Sequence, residues 1–280
     1  QNSLGVPSRL VTPDEIGRLV PGLNTDDLVA GAYSARDAIA GPNEATQAFA
    51  RRAREAGASI REGVEVSAIH THAGRVRAVE TTQGRIETPV VVNAAGPWAA
   101  LVGWMAGVEV PVKPYRRELF VSEPFDAIPD IPLVIDLAVG WYFRREGPGI
   151  LMSGARDKQS SFETHVDWAG LPRIAAHAMH RMPALAAARF GSKAWAGLYD
   201  VSPDDHAILG PVPGLEGFYC ANGFSGHGFQ HSPTTGRVLA ELILEGRVTG
   251  QDISALSIAR FQSGALLEEP LTAHAGSFGG

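Results

Sequence analysis

Cysteine is almost absent from this sequence: Cys220 is the one thiol in 280 residues. That excludes an internal disulfide and a multi-thiolate metal site. It fits a reducing compartment, and the expected location is the cytoplasm. Basic excess is lacking too. The formal net charge is −6, which argues against a nucleic-acid partner, because such proteins show a basic face. No apolar run nears the ~20 residues that a bilayer-spanning helix needs. No basic segment followed by an apolar core marks a secretory signal. Repeats and low-complexity linkers are missing as well. The chain starts at Gln1 rather than Met and enters at once on Leu4-Gly5-Val6-Pro7. This reads as a portion of a longer protein, a processed chain or a trimmed one.

What is present is an ordinary globular composition, 45% hydrophobic and 19% charged. It suffices for one large domain or two interlocked ones. Thr12-Pro13-Asp14-Glu15 predicts a helix start, with Thr12 as N-cap, Pro13 in the first position and acids in the first turn. A second helix is expected over residues 42–55, with Ala45, Phe49 and Ala53 at helical spacing. The period then changes to two. Strands are predicted at 59–61 and from Val64 through Ala68, followed by a hairpin over 74–88. Residues 89–96 form an apolar stretch ending in small residues, the pattern of a strand buried on both faces. A helix follows over 97–105.

Four strands are expected at 118–122, 133–136, 141–144 and 150–153, in a mixed or antiparallel sheet. Helices are expected over 172–182 and 232–245, the latter stopped by Gly246. Between those two helices a buried strand over 217–221 feeds a glycine-rich loop, Gly223-Phe224-Ser225-Gly226-His227-Gly228.

Strand, glycine turn, helix is the physical recipe for holding an anion or a polar ring. Glycines admit close backbone approach, and the helix end adds partial positive charge. The loop has no Gly-Lys-Ser/Thr and is no Walker loop. Its glycines are out of step with a Gly-x-Ser-x-Gly nucleophile elbow around Ser225. A ligand-free tight turn is the alternative reading of this loop alone. Asn93-Ala94-Ala95-Gly96-Pro97-Trp98 is a second candidate. Small residues at the carboxyl end of a strand admit a ligand, although close helix packing would explain them equally.

The order and spacing of these motifs resemble a family. Residues 92–99 are similar to the adenosine-side strand of the flavin-dependent amine oxidases of the D-amino-acid oxidase and sarcosine oxidase superfamily. Trp195-Ala196-Gly197-Leu198-Tyr199, Ser202-Pro203-Asp204-Asp205-His206-Ala207-Ile208-Leu209-Gly210, the 221–229 loop and Gly236-Arg237-Val238-Leu239 resemble its C-terminal signature. Within it, the chain resembles the single-chain sarcosine oxidases and the β-subunit-type dehydrogenases. The resemblance implies FAD as cofactor, an amine or amino-acid substrate, and hydride transfer from a C–N carbon to flavin N5.

It also implies a mixed α/β (α+β) fold, in which a Rossmann-type FAD-binding domain interleaves with a sheet-rich substrate domain. The substrate domain is expected at 1–30 and 106–195. The remainder of the FAD domain is expected at 31–105 and 196–268, with a flexible tail at 269–280. The family's opening Gly-x-Gly-x-x-Gly unit, which holds the pyrophosphate, does not occur before Asn93. The FAD domain is therefore expected to be incomplete, with a partner subunit or a missing N-terminal segment covering its sheet. The chain alone is then expected to be inactive. The alternative is a non-catalytic fragment or subunit with an unfilled cleft.

By the resemblance, Gly223, Phe224, Ser225, Gly226, His227, Gly228 and Phe229 face the isoalloxazine ring, with Gln230 as a further donor. Val66, Ala94, Gly96 and Trp98 face the adenosine end. A carboxylate-bearing substrate needs a cation. Arg144 with Tyr142 is the first choice, and Arg116 or Arg117 the second. Tyr199 and Gln230 stand where relatives often carry Arg or Lys; being uncharged, they argue against sarcosine or glycine as substrate. Asp204, Asp205 and His206 match the family turn beneath the flavin better than a metal site, so no metal is expected.

Overall fold

The computed structural model describes residues 1–154 and 159–268. Near the N-terminus, β1 (Arg9–Val11) pairs antiparallel with β2 (Gly31–Tyr33) around α1 (Pro13–Leu19). The predicted cap of α1 is a full capping box. Glu15 N–H donates to Thr12 Oγ1 at 3.3 Å, and Glu15 Oε2 accepts from Thr12 N–H at 2.9 Å. Helix α2 (Pro42–Glu55) follows, as expected, but none of its residues is buried, and Phe49 is 59% exposed.

The strand expected at 59–61 does not form. Ile60 is exposed, and no neighbouring strand offers that segment a ladder among the described residues. The alternating pattern that begins at Val64 becomes β3 (Val66–His72). It opens an antiparallel meander with β4 (Arg75–Thr81) and β5 (Gly84–Glu87). The apolar stretch after it yields only β6 (Val91–Asn93). This strand is shorter than expected and is not enclosed on both faces, because it lies at a sheet edge and Val92 is 38% exposed. A 3-10 turn then leads into α3 (Ala99–Met105).

The largest sheet has the order β11-β7-β10-β9-β8, and every pairing in it is antiparallel. Its members are β7 (Lys113–Ser122), β8 (Val134–Asp136), β9 (Trp141–Glu146), β10 (Gly149–Ser153) and, after α4 (Leu171–Arg181), β11 (Phe190–Val201). One face buries Phe120, Phe143, Ile150 and Met152 against Ile174, Ala178 and Met182. Arg181, at the end of α4, ties this core to the N-terminal arm. It pairs with Asp27 and Asp136 and donates to the Asn24 carbonyl at 2.7 Å.

A second core surrounds a three-stranded sheet in the order β12 (Ile208–Pro211), β13 (Phe218–Asn222), β6. Ile208, Phe218 and Cys220 pack there with Ile69, Val76 and Ala99. Burial pushes the Cys220 thiol up to about 12, so it serves as packing. The chain then runs through α5 (Gly228–Glu245), which ends at left-handed Gly246 as expected, to α6 (Ala259–Ser263).

Helix α5 starts four residues before the expected Ser232, which places Pro233 inside it. Pro233 has no N–H to donate to the Phe229 carbonyl four residues back. The Ser232 hydroxyl donates to that carbonyl at 2.9 Å instead. The helix therefore survives its proline, and its first turn reaches back to the glycine loop. The expected tail, 269–280, lies outside the described residues.

Candidate active site

Strands β6 and β13 run parallel, with Cys220 opposite Asn93. Both candidate loops thus leave the carboxyl ends of adjacent parallel strands, the usual place for ligands in such sheets. The two ends are joined by side chains. Asn222 Nδ2 donates to Asn93 Oδ1 at 3.3 Å, and Asn93 Nδ2 donates to the Ala99 carbonyl at 2.9 Å.

The 223–228 loop turns sharply. Gly223, Ser225 and Gly226 have φ of 67°, 54° and 96°, all in the region that favours glycine. At Gly226 glycine is needed twice over. A Cβ there would lie 2.6 Å from Tyr199 Cε2. The loop is pinned to the end of β11. The Gly223 and Phe224 N–H groups donate to Asp200 Oδ2 at 2.8 and 3.3 Å, and Ser225 N–H donates to the Asp200 carbonyl at 3.1 Å. Burial pushes the Asp200 carboxyl up, while the amides of Phe224 and Gly223 pull it down.

No side chain caps the start of α5, where His227 is the N-cap. The first-turn amides of Gly228, Phe229 and Gln230 therefore lack the preceding turn's carbonyls and form the positive end of an 18-residue helix. Phe229 and Gln230 are exposed. His231 lies beside His227, with ring centroids 6.2 Å apart. Burial, and then the His227 neighbour, lower its pKa and keep its imidazole neutral at pH 7.

Above the loop stands the second face of the large sheet. Residues directly opposite each other in a ladder share a face. The pairs Tyr199–Tyr115, Gly197–Arg117, Trp195–Leu119 and Ser153–Tyr142 therefore line the side away from α4. Arg117 lies 5.0 Å from the Tyr142 ring centre and 5.4 Å from that of Tyr199. Its Nε donates to Ser153 Oγ at 3.1 Å and its Nη2 to the Gly140 carbonyl at 3.2 Å. Among the described residues, no carboxylate pairs with this half-buried cation. A Cβ on Gly197, opposite Arg117, would meet nothing within 4 Å. The sheet face is therefore open at Gly197.

Arg144 shares that face with Tyr142, but its Nη1 is taken by Glu146 and by the Arg145 carbonyl. The cation brought to Tyr142 is Arg117. Arg116 turns to the opposite face and to His165. Tyr199 joins the two halves of the site, since its ring meets both Arg117 and Gly226.

At the other end, Gly96 has φ 52° and open space at its Cβ position, and Ala94 is exposed. Trp98 is half-exposed and stacks on Phe162 at 5.8 Å. Val66 begins β3 and packs on the second core, alongside Ala99 and Phe218. Asp204 accepts from Arg260 Nε at 2.7 Å and Nη2 at 2.9 Å, and both side chains are almost fully buried. It is a structural residue. Asp200 was not singled out by sequence reasoning. Its one signal is a carboxylate beside the signature tyrosine, at the end of an otherwise half-apolar strand.

These residues fit the ring end of a flavin dinucleotide. The observations are the glycine cradle, the uncapped helix start and the buried Asn222 Oδ1, which has no partner among the described residues. The pattern of the FAD dependent oxidoreductases termed DAO matches residues 1–242. The chain belongs to the DAO family of FAD-dependent oxidoreductases.

It is 35% identical over 206 residues to FAD-dependent oxidoreductase domain-containing protein 1 of Xenopus laevis, covering 66% of this chain and 40% of that protein. It is 32% identical over 186 residues to human mitochondrial sarcosine dehydrogenase, covering 63% of this chain and 20% of that protein. The crystal structure of L-proline dehydrogenase from P. horikoshii superimposes with a TM-score of 0.87 at 31% identity, covering 95% of this chain and 72% of that one. Glycine oxidase from Geobacillus kaustophilus gives 0.80 at 25% identity, covering 92% and 68%. The DAO-family chain thus spans about two fifths of the Xenopus relative's length. None of its described helices is long and apolar enough to cross a membrane.

Proposed function

We propose that this chain supplies the ring-binding and substrate-binding parts of an amine or amino-acid dehydrogenase or oxidase. The observation that carries the reading is Arg117, a half-buried cation with no carboxylate partner among the described residues, held between Tyr142 and Tyr199 next to the flavin loop. Bound FAD supplies the acceptor for a hydride leaving a C–N carbon.

The protein's own residues bind and orient. Arg117 offers Nη1 and the outer edge of its fork to a substrate carboxylate, and the tyrosine rings hold that fork in place. Burial, followed by the nearby Tyr199, raises the Tyr142 phenol pKa, so Tyr142 stays protonated as a donor. The uncapped amides of α5 stabilise the negative charge that builds on the reduced ring. Relatives named for sarcosine, L-proline and glycine have substrates with a carboxylate beside the C–N carbon. Arg117 supplies the cation that Tyr199 and Gln230 lack.

The pyrophosphate of FAD has no Gly-x-Gly-x-x-Gly loop in these 280 residues. The proposal therefore assigns that end of the cofactor, and turnover, to a protein larger than this chain. The test is the full-length protein. It should be yellow, with an absorbance band near ~450 nm, and should reduce a dye with an amino- or imino-acid substrate. A colourless protein that turns over no amine contradicts the reading.

Arg117→Leu should raise KM for the carboxylate substrate by roughly tenfold to a hundredfold. That is the worth of a charge-assisted hydrogen bond, about 1.5–3 kcal/mol. kcat should change far less. Arg144→Leu serves as the control and should change KM by less than threefold, because Arg144 is already paired with Glu146. The reverse ranking would move the carboxylate site to Arg144.

A further inference from the structure

We infer that Asp200 is a positioning residue. It holds the 223–228 loop in its ligand-ready shape and, through its charge, sets the electron affinity of the flavin on that loop. The second half rests on the flavin reading above; the first does not.

Three of the four residues from Gly223 to Gly226 have positive φ, and one of them, Ser225, is not glycine. Such a backbone persists only where its surroundings over-determine it. Consecutive amides in this kind of turn form a concavity that binds an anion. Here the anion is part of the protein. One oxygen, Asp200 Oδ2, accepts from Gly223 and Phe224, and the Asp200 carbonyl accepts from Ser225. Ser202, just past the end of β11, adds to the clamp, because its N–H donates to Ser225 Oγ at 3.3 Å.

Two consequences follow from that geometry. The amides of Gly223, Phe224 and Ser225 are spent on β11, so the donors left for the ring come from the first turn of α5. A half-buried carboxylate also sits behind the loop, opposite in effect to the helix end. It disfavours the extra electrons of the reduced ring.

Two variants separate shape from charge. Asp200→Ala removes the acceptor, and Asp200→Asn keeps an acceptor oxygen but removes the charge. Hydrogen exchange on the chain without flavin should show Gly223, Phe224 and Ser225 exchanging at least tenfold faster in Asp200→Ala, with β13 amides unchanged. In Asp200→Asn those amides should stay within threefold of the parent. In the FAD-loaded full-length protein, Asp200→Asn should shift the two-electron equilibrium about tenfold toward the reduced ring, a rise of about 30 mV. Unchanged exchange in Asp200→Ala overturns the inference, and so does an unchanged or lower potential in Asp200→Asn. If the full-length protein takes up no FAD, the flavin reading fails instead, and the exchange experiment still decides whether Asp200 holds the loop.

Discussion

Gly226→Ala is expected to weaken FAD binding about a hundredfold. The residue sits at φ 96°, and its new methyl would lie 2.6 Å from Tyr199 Cε2. A non-glycine residue in left-handed backbone costs about 1–2 kcal/mol. Displacing a packed ring costs about 1–3 kcal/mol more. The alternative is a loop that swings out of shape, and each 1.4 kcal/mol so lost is about tenfold in affinity. Titration of FAD fluorescence in the full-length protein measures the change. Adding Tyr199→Ala should recover part of the loss, because it removes the obstruction but not the backbone strain. Affinity within threefold of the parent in Gly226→Ala would mean that this loop does not hold the flavin.

Arg260→Leu should be the most destabilising single change outside the site. Arg260 and Asp204 are a buried, two-pronged pair. The same guanidinium also donates to the carbonyls of His206 and Leu256. Removing one member of such a pair costs about 3–5 kcal/mol, because the other charge is left buried alone. For a chain of this size that lowers the melting temperature by roughly 8–15 °C.

The pair also fixes an acid limit. Burial alone would raise the Asp204 carboxyl, but the Arg260 hydrogen bonds and the Leu267 amide outweigh it and hold the pKa down at about 2, against an ordinary 3.8. A depressed carboxylate contributes stability that is present above the unfolded value and is lost as pH falls through the folded one. Unfolding followed by fluorescence should therefore show a loss of stability from about pH 4 down to about pH 2. In Asp204→Asn that part of the pH profile should flatten. Equal melting temperatures for Arg260→Leu and the parent would refute the assignment.

Much of this was legible in the sequence, for local reasons. Thr12 announced its helix cap, Gly246 its helix stop, and 223–228 its turn, because each is set by neighbours a few residues away. The mixed fold and the family followed from motif order. What failed depended on long-range partners. Residues 59–61 look like a strand, but a strand needs a neighbour, and none is among the described residues. β6 shortened for a related reason, since only β13 pairs with it.

In the site, Arg144 and Tyr142 share a face, as alternation requires. Yet Glu146, two residues on, neutralises Arg144, and a partner at that spacing is easily overlooked. The pairing of β7 with β11 brings Arg117 and Tyr199 together from positions more than 80 residues apart. No local pattern carries that information. Asp200 was hidden for the same reason, as its role exists only once the loop folds back on β11.

The central claim is that the uncapped first turn of α5, with the glycine loop before it, receives the ring of FAD. Hydrogen exchange of the full-length protein with and without FAD tests it most directly. The account predicts that the amides of Gly228, Phe229 and Gln230 slow by tenfold or more on FAD binding, while those of Gly223 and Phe224, already held by Asp200, change little. Saturable FAD binding that leaves residues 226–230 exchanging as in the free protein would contradict it.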